Sequence, residues 1–183
     1  VIKPAFARYG VTAEVYNGAV SGTTSCQWAG FPKNMLTMTN WAFGVNKTDY
    51  VWMSLGGNDQ KHGPFRTCAT DARSFEETKI CVTWNAERVA LCQSDLVNNV
   101  LAGNSHAKVL YTGYDLSCTS DDCMPMKRYP FCGMNVTCFE TLHLYFQDVI
   151  RQFVAARVPL EHQGRYIAIN IAGSLQQAAG MSA

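Results

Sequence analysis

The sequence predicts an α/β domain built on a parallel sheet. Three observations carry this: short β-branched and aromatic runs recur along the chain, amphipathic helical segments separate them, and the separations are too long for hairpins. Strands joined through helices make right-handed crossovers, which leads to a three-layer α/β/α arrangement with the sheet covered on both faces. With 183 residues, 48% hydrophobic and 16% charged, the chain is sized for one core. Residues 1–183 are therefore read as a single domain.

Taken in order, the first strand is expected at Val11 to Tyr16, stopped by Asn17-Gly18. The second, Asp49 to Leu55, is a nearly continuous apolar run ended by Gly56-Gly57. That pattern belongs to a strand buried on both faces and puts Trp52 in the core. Val82 to Leu101 carries Val89, Cys92, Leu96 and Val100 three and four apart, a helical stripe. Ala107 to Gly113 reads as the third strand. Cys138 to Ala156 reads as a second helix with Leu142, Phe146, Val149, Ile150 and Phe153 on one side, and Arg165 to Ala172 as the fourth strand. Two stretches break the rhythm, Gln60 to Thr78 and Leu116 to Thr137. Both are polar, bear cysteines and follow the carboxyl end of a strand, the edge where open parallel sheets place their ligand sites.

The cysteines are even in number, eight in all: Cys26, Cys68, Cys81, Cys92, Cys118, Cys123, Cys132 and Cys138. Six fall in loop-like stretches, which points to disulfides in an oxidising compartment. Local pairs such as Cys118 with Cys123 or Cys132 with Cys138 are expected before long-range ones, because a short loop is stapled without rearranging the core. Neither spacing makes the tight Cys-x2-Cys knuckle of a zinc site and no paired histidines follow, so no metal is expected. Two glycosylation acceptor sequons, at Asn46 and Asn135, agree with a secreted, extracellular or secretory-lumen protein. The formal charge of +1 comes from 15 basic and 14 acidic residues spread without blocks. This argues against nucleic acid or an anionic lipid surface as partner. No apolar run approaches the roughly 20 residues of a membrane span.

The chemistry concentrates in two turns. Gly56-Gly57-Asn58-Asp59 follows a strand directly, so the glycines bend the chain and Asn58 presents its amide beyond the strand end, placed to donate to a developing oxyanion. Upstream stands Asn17-Gly18-Ala19-Val20-Ser21-Gly22-Thr23-Thr24, again after a strand-like run. The alternative reading of the first motif is a plain turn, since all four of its residues are turn formers. Together, in this order and spacing, the two motifs resemble the second and third sequence blocks of the SGNH (GDSL-type) serine esterases and acyl-hydrolases. The resemblance covers roughly residues 9 to 60.

It implies a flavodoxin-like α/β/α fold and hydrolysis of carboxylic esters, either acyl esters or O-acetylated carbohydrates, without a cofactor. It also implies that the backbone amide of Gly22 and the side-chain amide of Asn58 are oxyanion donors, with Asp59 stabilising the turn. The family's Gly-Asp-Ser nucleophile block does not occur, and no Asp-x-x-His block follows the last strand. The expectation is thus a domain incomplete at both ends and inactive by itself. The rival is a non-catalytic module of the same fold, structural or carbohydrate-binding, assembled with other extracellular chains. An internal triad of Ser174, His62 and Asp115 is the weaker alternative, since triads are defined by geometry rather than by sequence position. His106 and His162 precede strands and belong to the opposite edge. His143 reads as a helix-surface residue, and Trp28, Trp41 and Trp52 as core before pocket lining.

Overall fold

The computed structural model describes residues 2–30, 48–63, 67–68, 74–114, 132, 135–171 and 174. Its elements in chain order are α1 (Ile2–Ala7), α2 (Ser25–Gly30), β1 (Tyr50–Ser54), α3 (Gly57–His62), α4 (Phe75–Gly103), β2 (Lys108–Thr112), α5 (Val136–Arg157), a 3-10 turn (Leu160–Arg165) and β3 (Tyr166–Ile169). The strands form one parallel sheet in the order β1-β2-β3, with Trp52 opposite Leu110 and Leu110 opposite Ile167. The mixed α/β class and three of the four expected strand segments are therefore present, with parallel neighbours.

Val11 to Tyr16 is not the fourth. This stretch forms no strand, and Val11, Val15 and Tyr16 are exposed. Alternating β-formers make a strand only against a partner, and none of the described strands pairs with it.

Helix α4 starts earlier than its apolar stripe suggests. Ser74 accepts from the Glu77 amide at 3.2 Å and its hydroxyl meets the Glu77 carboxylate at 3.0 Å. Glu76 and Glu77 complement the helix N-terminus. These local contacts convert Phe75 to Thr78, expected as loop, into the first turn. Gln60 to His62, also expected as loop, belong to α3. At the far end the Asn104 side chain accepts from the amides of His106 and Ala107, both at 2.9 Å, and turns the chain into β2. The Arg165 guanidinium then donates to the carbonyls of Leu101, Asn104 and Ala107, tying the entry of β3 to the carbonyl end of α4. Helix α5 is capped by Asn135, whose side chain accepts from the Cys138 amide at 3.1 Å.

Both long helices lie on the same face of the sheet. Met53, Val109 and Tyr111 point into a core filled by Val82, Ala86, Ala90, Val97 and Val100 of α4 and by Phe146, Ile150 and Val154 of α5. The topology dictates this: a strand order that advances in one direction through right-handed crossovers puts successive helices on one side. Among the described residues no helix covers the other face, where Tyr50, Trp52, Ile167 and Ile169 are exposed. The placement of Trp52 in the core is thereby corrected. It is 55% exposed, and its indole N–H donates to the Thr112 hydroxyl at 2.8 Å on the neighbouring strand. β1 is likewise buried on one face rather than two, its side chains alternating from exposed Trp52 to buried Met53 to exposed Ser54.

Every described cysteine is bridged: Cys26–Cys92, Cys68–Cys81 and Cys132–Cys138. The last is one of the expected local pairs. Cys118 and Cys123 lie outside the described residues. The preference for local pairs fails at Cys26–Cys92, which spans 66 residues and fastens α2 to α4. The fold had already brought these helices together, so long separation in sequence cost the pairing nothing in rearrangement.

Candidate functional site

The two motifs meet at the carboxyl edge of the sheet. β1 runs out through Leu55 into Gly56, whose φ of +120° is a conformation that favours glycine. Gly57 then opens α3 and leaves no room for a side chain, because a Cβ there would sit 2.5 Å from the Tyr114 ring. Asn58 and Asp59 follow on this short helix, and both reach back to the upstream loop. The Asn58 side-chain amide donates to the Thr23 carbonyl at 3.1 Å. The Asp59 carboxylate accepts from the Ser25 amide at 2.9 and 3.1 Å and from the Ser25 hydroxyl at 2.7 Å.

The upstream loop is shaped by its own polar side chains. Asn17 accepts from the Ala19 amide at 3.0 Å, and the Thr23 hydroxyl donates to the Val20 carbonyl at 2.7 Å while accepting from the Trp28 indole at 2.8 Å. Gly22 adopts φ +82° inside this turn, exposed and with nothing near where a Cβ would stand. Its glycine serves the backbone conformation, not a close approach. Asn58 is therefore directed at the loop that contains Gly22 and contacts the residue next to it.

A buried polar chain extends behind this junction. Gln93, fully buried on α4, donates to the Ser25 hydroxyl at 2.8 Å, and Ser25 in turn serves Asp59, which is 5% exposed. The disulfide Cys26–Cys92 joins the immediate neighbours of Ser25 and Gln93, so a covalent clamp holds the two donors in register. The Gln93 carbonyl oxygen and the Tyr111 hydroxyl are also buried there, and neither meets hydrogen-bond geometry with a partner. Burial pushes the Tyr111 phenol far above its ordinary value, with the neighbouring Tyr166 and Asp59 acting in the same direction and Gln93 against.

Ser25 and Gln93 were not singled out from the sequence. Gln93 carried a signal, an amide inside the stripe of Val89, Leu96, Val97 and Val100; a polar residue on a buried helix face needs a partner.

The remaining candidates do not gather here. Ser174 is exposed and its amide donates to the Ile171 carbonyl at 3.0 Å. Asp115 and the His62 side chain lie outside the described residues, as do Asn46 and Trp41. Asn135 is exposed, as an acceptor sequon requires. His106 and His162 stand at the opposite edge, and His162 meets the Arg165 guanidinium at 3.0 Å. His143 is not a surface residue: it is 2% exposed, its Nε2 lies 3.5 Å from the Tyr114 carbonyl, and its ring packs near Phe139. Spacing explains the correction, since His143, Phe146 and Ile150 share the buried face of α5. Trp28 is part-buried against the core, with its indole N–H on the Thr23 loop.

Among the described residues no cluster of three metal-ligating side chains forms, and no helix is long and apolar enough to cross a membrane. The three disulfides are compatible with a secreted protein. Compared with protein-family models, curated proteins and solved structures, the chain matches none.

Proposed function

We propose that this chain is the central part of a secreted SGNH-type ester hydrolase domain with a flavodoxin-like three-layer fold. The observation that carries the reading is the Asn58 hydrogen bond to Thr23, which joins the end of β1 to the loop holding Gly22 at the carboxyl edge of a parallel sheet. On this reading a serine alkoxide attacks the ester carbonyl, and the Gly22 amide and Asn58 side chain donate to the tetrahedral oxyanion. The serine and histidine that complete the reaction lie outside residues 1–183. Gly56, Gly57, Asp59, Ser25 and Gln93 fix the donors before substrate arrives, and such preorganisation is what makes donors effective. The substrate is an acyl ester or an O-acetylated carbohydrate. The bridged cysteines and the exposed sequon at Asn135 support an extracellular or secretory-lumen location.

A longer chain carrying Gly-Asp-Ser upstream and Asp-x-x-His downstream is expected to hydrolyse p-nitrophenyl acetate. Asn58→Ala is expected to lower kcat about 10²- to 10³-fold, while residues 1–183 alone give no turnover. An unchanged rate in Asn58→Ala overturns the assignment. One observation favours a second reading: one N–H of Asn58 is engaged by a backbone carbonyl, as in a structural turn. Replacement of both flanking blocks, with no esterase activity, would favour a non-catalytic module of an extracellular assembly.

A further inference from the structure

Helix α4 carries an apolar stripe that faces away from the core. Its inner side holds Val82, Ala86, Val89, Val97 and Val100, whereas Ile80, Trp84 and Leu91 are 67%, 71% and 45% exposed, and Arg88 between them is exposed as well. Spacings of four, four and three put these four residues on one helix face. A groove of about 380 Å³ runs beside them, with Ile80, Trp84, Asn85 and Arg88 in its lining. The disulfides Cys68–Cys81 and Cys26–Cys92 fasten α4 on either side of Trp84. An exposed tryptophan next to an arginine on a braced helix has the composition of an interface centre rather than of a solvated helix face.

The order of these four residues identifies what they meet. From either end the stripe begins and finishes apolar, with the aromatic ring and the cation between. When two copies of α4 cross antiparallel about a two-fold axis level with Ala86, Ile80 meets the partner's Leu91 and the Trp84 indole meets the partner's Arg88, each contact occurring twice. Apolar surface then covers apolar surface, and a guanidinium lies on a π face. A parallel pairing would instead set Arg88 against the partner's Arg88. Glu87 mirrors Asn85, so no like charges face each other at the centre. Glu77 and Asp95 mirror each other at the two ends, and their repulsion confines the contact to the stretch between them.

We propose that the outer face of α4 is the interface of a weak homodimer, in which two copies of the chain cross antiparallel at Trp84 and Arg88. The groove beside Trp84 gives the partner's Trp84 a socket, with Arg88 on its wall. The exposed parts of Ile80, Trp84 and Leu91 amount to roughly 400 Å² per copy, so the pair buries about 800–1,000 Å² with its polar surround, at the low end of specific interfaces. Such a size gives transient association, with Kd on the order of 10⁻⁵ to 10⁻³ M. The bracing by two disulfides favours it, because a helix already held in place has little freedom left to lose. This interface does not depend on ester hydrolysis and holds equally for an enzyme or a binding module.

The test is sedimentation velocity of the oxidised 183-residue chain from about 5 µM to about 1 mM. A monomer is expected at the lowest concentration and a reversible dimer at the highest, with no larger species, because a two-fold interface closes on itself. Trp84→Ser is expected to raise Kd about tenfold or more while leaving the urea midpoint, measured at ~5 µM, unchanged. Ile80→Lys and Leu91→Glu are each expected to weaken the homodimer to a similar degree, and an equimolar mixture of the two is expected to recover it. The antiparallel register sets the introduced cation against the introduced carboxylate at one contact and keeps leucine against isoleucine at the other. A monomer throughout, a dimer that Trp84→Ser leaves intact, or a mixture that associates no better than either variant alone overturns the proposal. So does growth beyond the dimer. Binding to phosphatidylcholine vesicles that Trp84→Ser abolishes, while the chain stays monomeric, would give the face to a lipid surface and overturns it too. If the variants at these exposed positions do not fold, the stripe is structural and the proposal also fails.

Discussion

Removing the Asp59 carboxylate is expected to be among the most damaging single changes in this protein, and the structure sets its size. The group is 5% exposed and accepts from two donors of Ser25, the amide and the hydroxyl. Hydrogen bonds to a charged acceptor contribute about 1.5–3 kcal/mol each. Asp59→Ala should therefore cost about 3–5 kcal/mol, since it also orphans the Ser25 amide in the interior. With an m-value near 2 kcal/mol/M, this lowers the urea midpoint by about 2 M. Ser25→Ala keeps the backbone bond to Asp59 but strands the Gln93 amide, for a loss of about 1–3 kcal/mol. Because the two side chains share one bond, the double variant should fall short of the sum by at least ~1 kcal/mol. Equilibrium urea unfolding of the oxidised proteins, followed by far-UV circular dichroism, measures all four corners of the cycle. A cost below ~1 kcal/mol for Asp59→Ala, or additivity within ~0.5 kcal/mol, would refute the view that this chain of contacts joins the two turns.

Three further outcomes follow from the packing. Burial holds the Tyr111 and Tyr166 phenols neutral, their folded values lying above the unfolded one. Stability is thus fully present below pH ~10 and falls as pH rises beyond it; Tyr111→Phe should flatten that alkaline loss in unfolding measured from pH 8 upward and be neutral or stabilising at pH 7. Replacing Cys26 and Cys92 by serine opens a 66-residue loop and should cost about 4 kcal/mol, against about 2 for Cys132 and Cys138, which close a separation of 6; equal urea midpoint shifts would contradict the loop-closure account. Phe146→Ala, at a fully buried position, should lose about 3–5 kcal/mol, whereas Trp84→Ala, 71% exposed on α4, should stay within about 0.5 kcal/mol in the same assay.

What the sequence determined by itself were the features set by neighbours along the chain. The stripes of α4 and α5 and the apolar runs of β2 and β3 are periodicities, and periodicity survives without tertiary partners. The turn at Gly56 and Gly57 was legible for the same reason: residues that tolerate positive φ announce where a strand must stop.

Tertiary structure decided the rest. Val11 to Tyr16 has the composition of a strand but finds no described neighbour to pair with, and Trp52 has the composition of core but stands on the sheet face that no described helix covers. Whether an apolar side chain is buried depends on which side the crossovers put their helices, and handedness is a property of the whole path. The site shows the same division. Asn58 and Gly22 could be named from motifs, but Ser25 and Gln93 acquire meaning only through contacts 34 and 68 residues apart in sequence. Hydrogen-bond partners at that range are selected by packing, and a one-dimensional pattern does not encode which buried donor faces which acceptor.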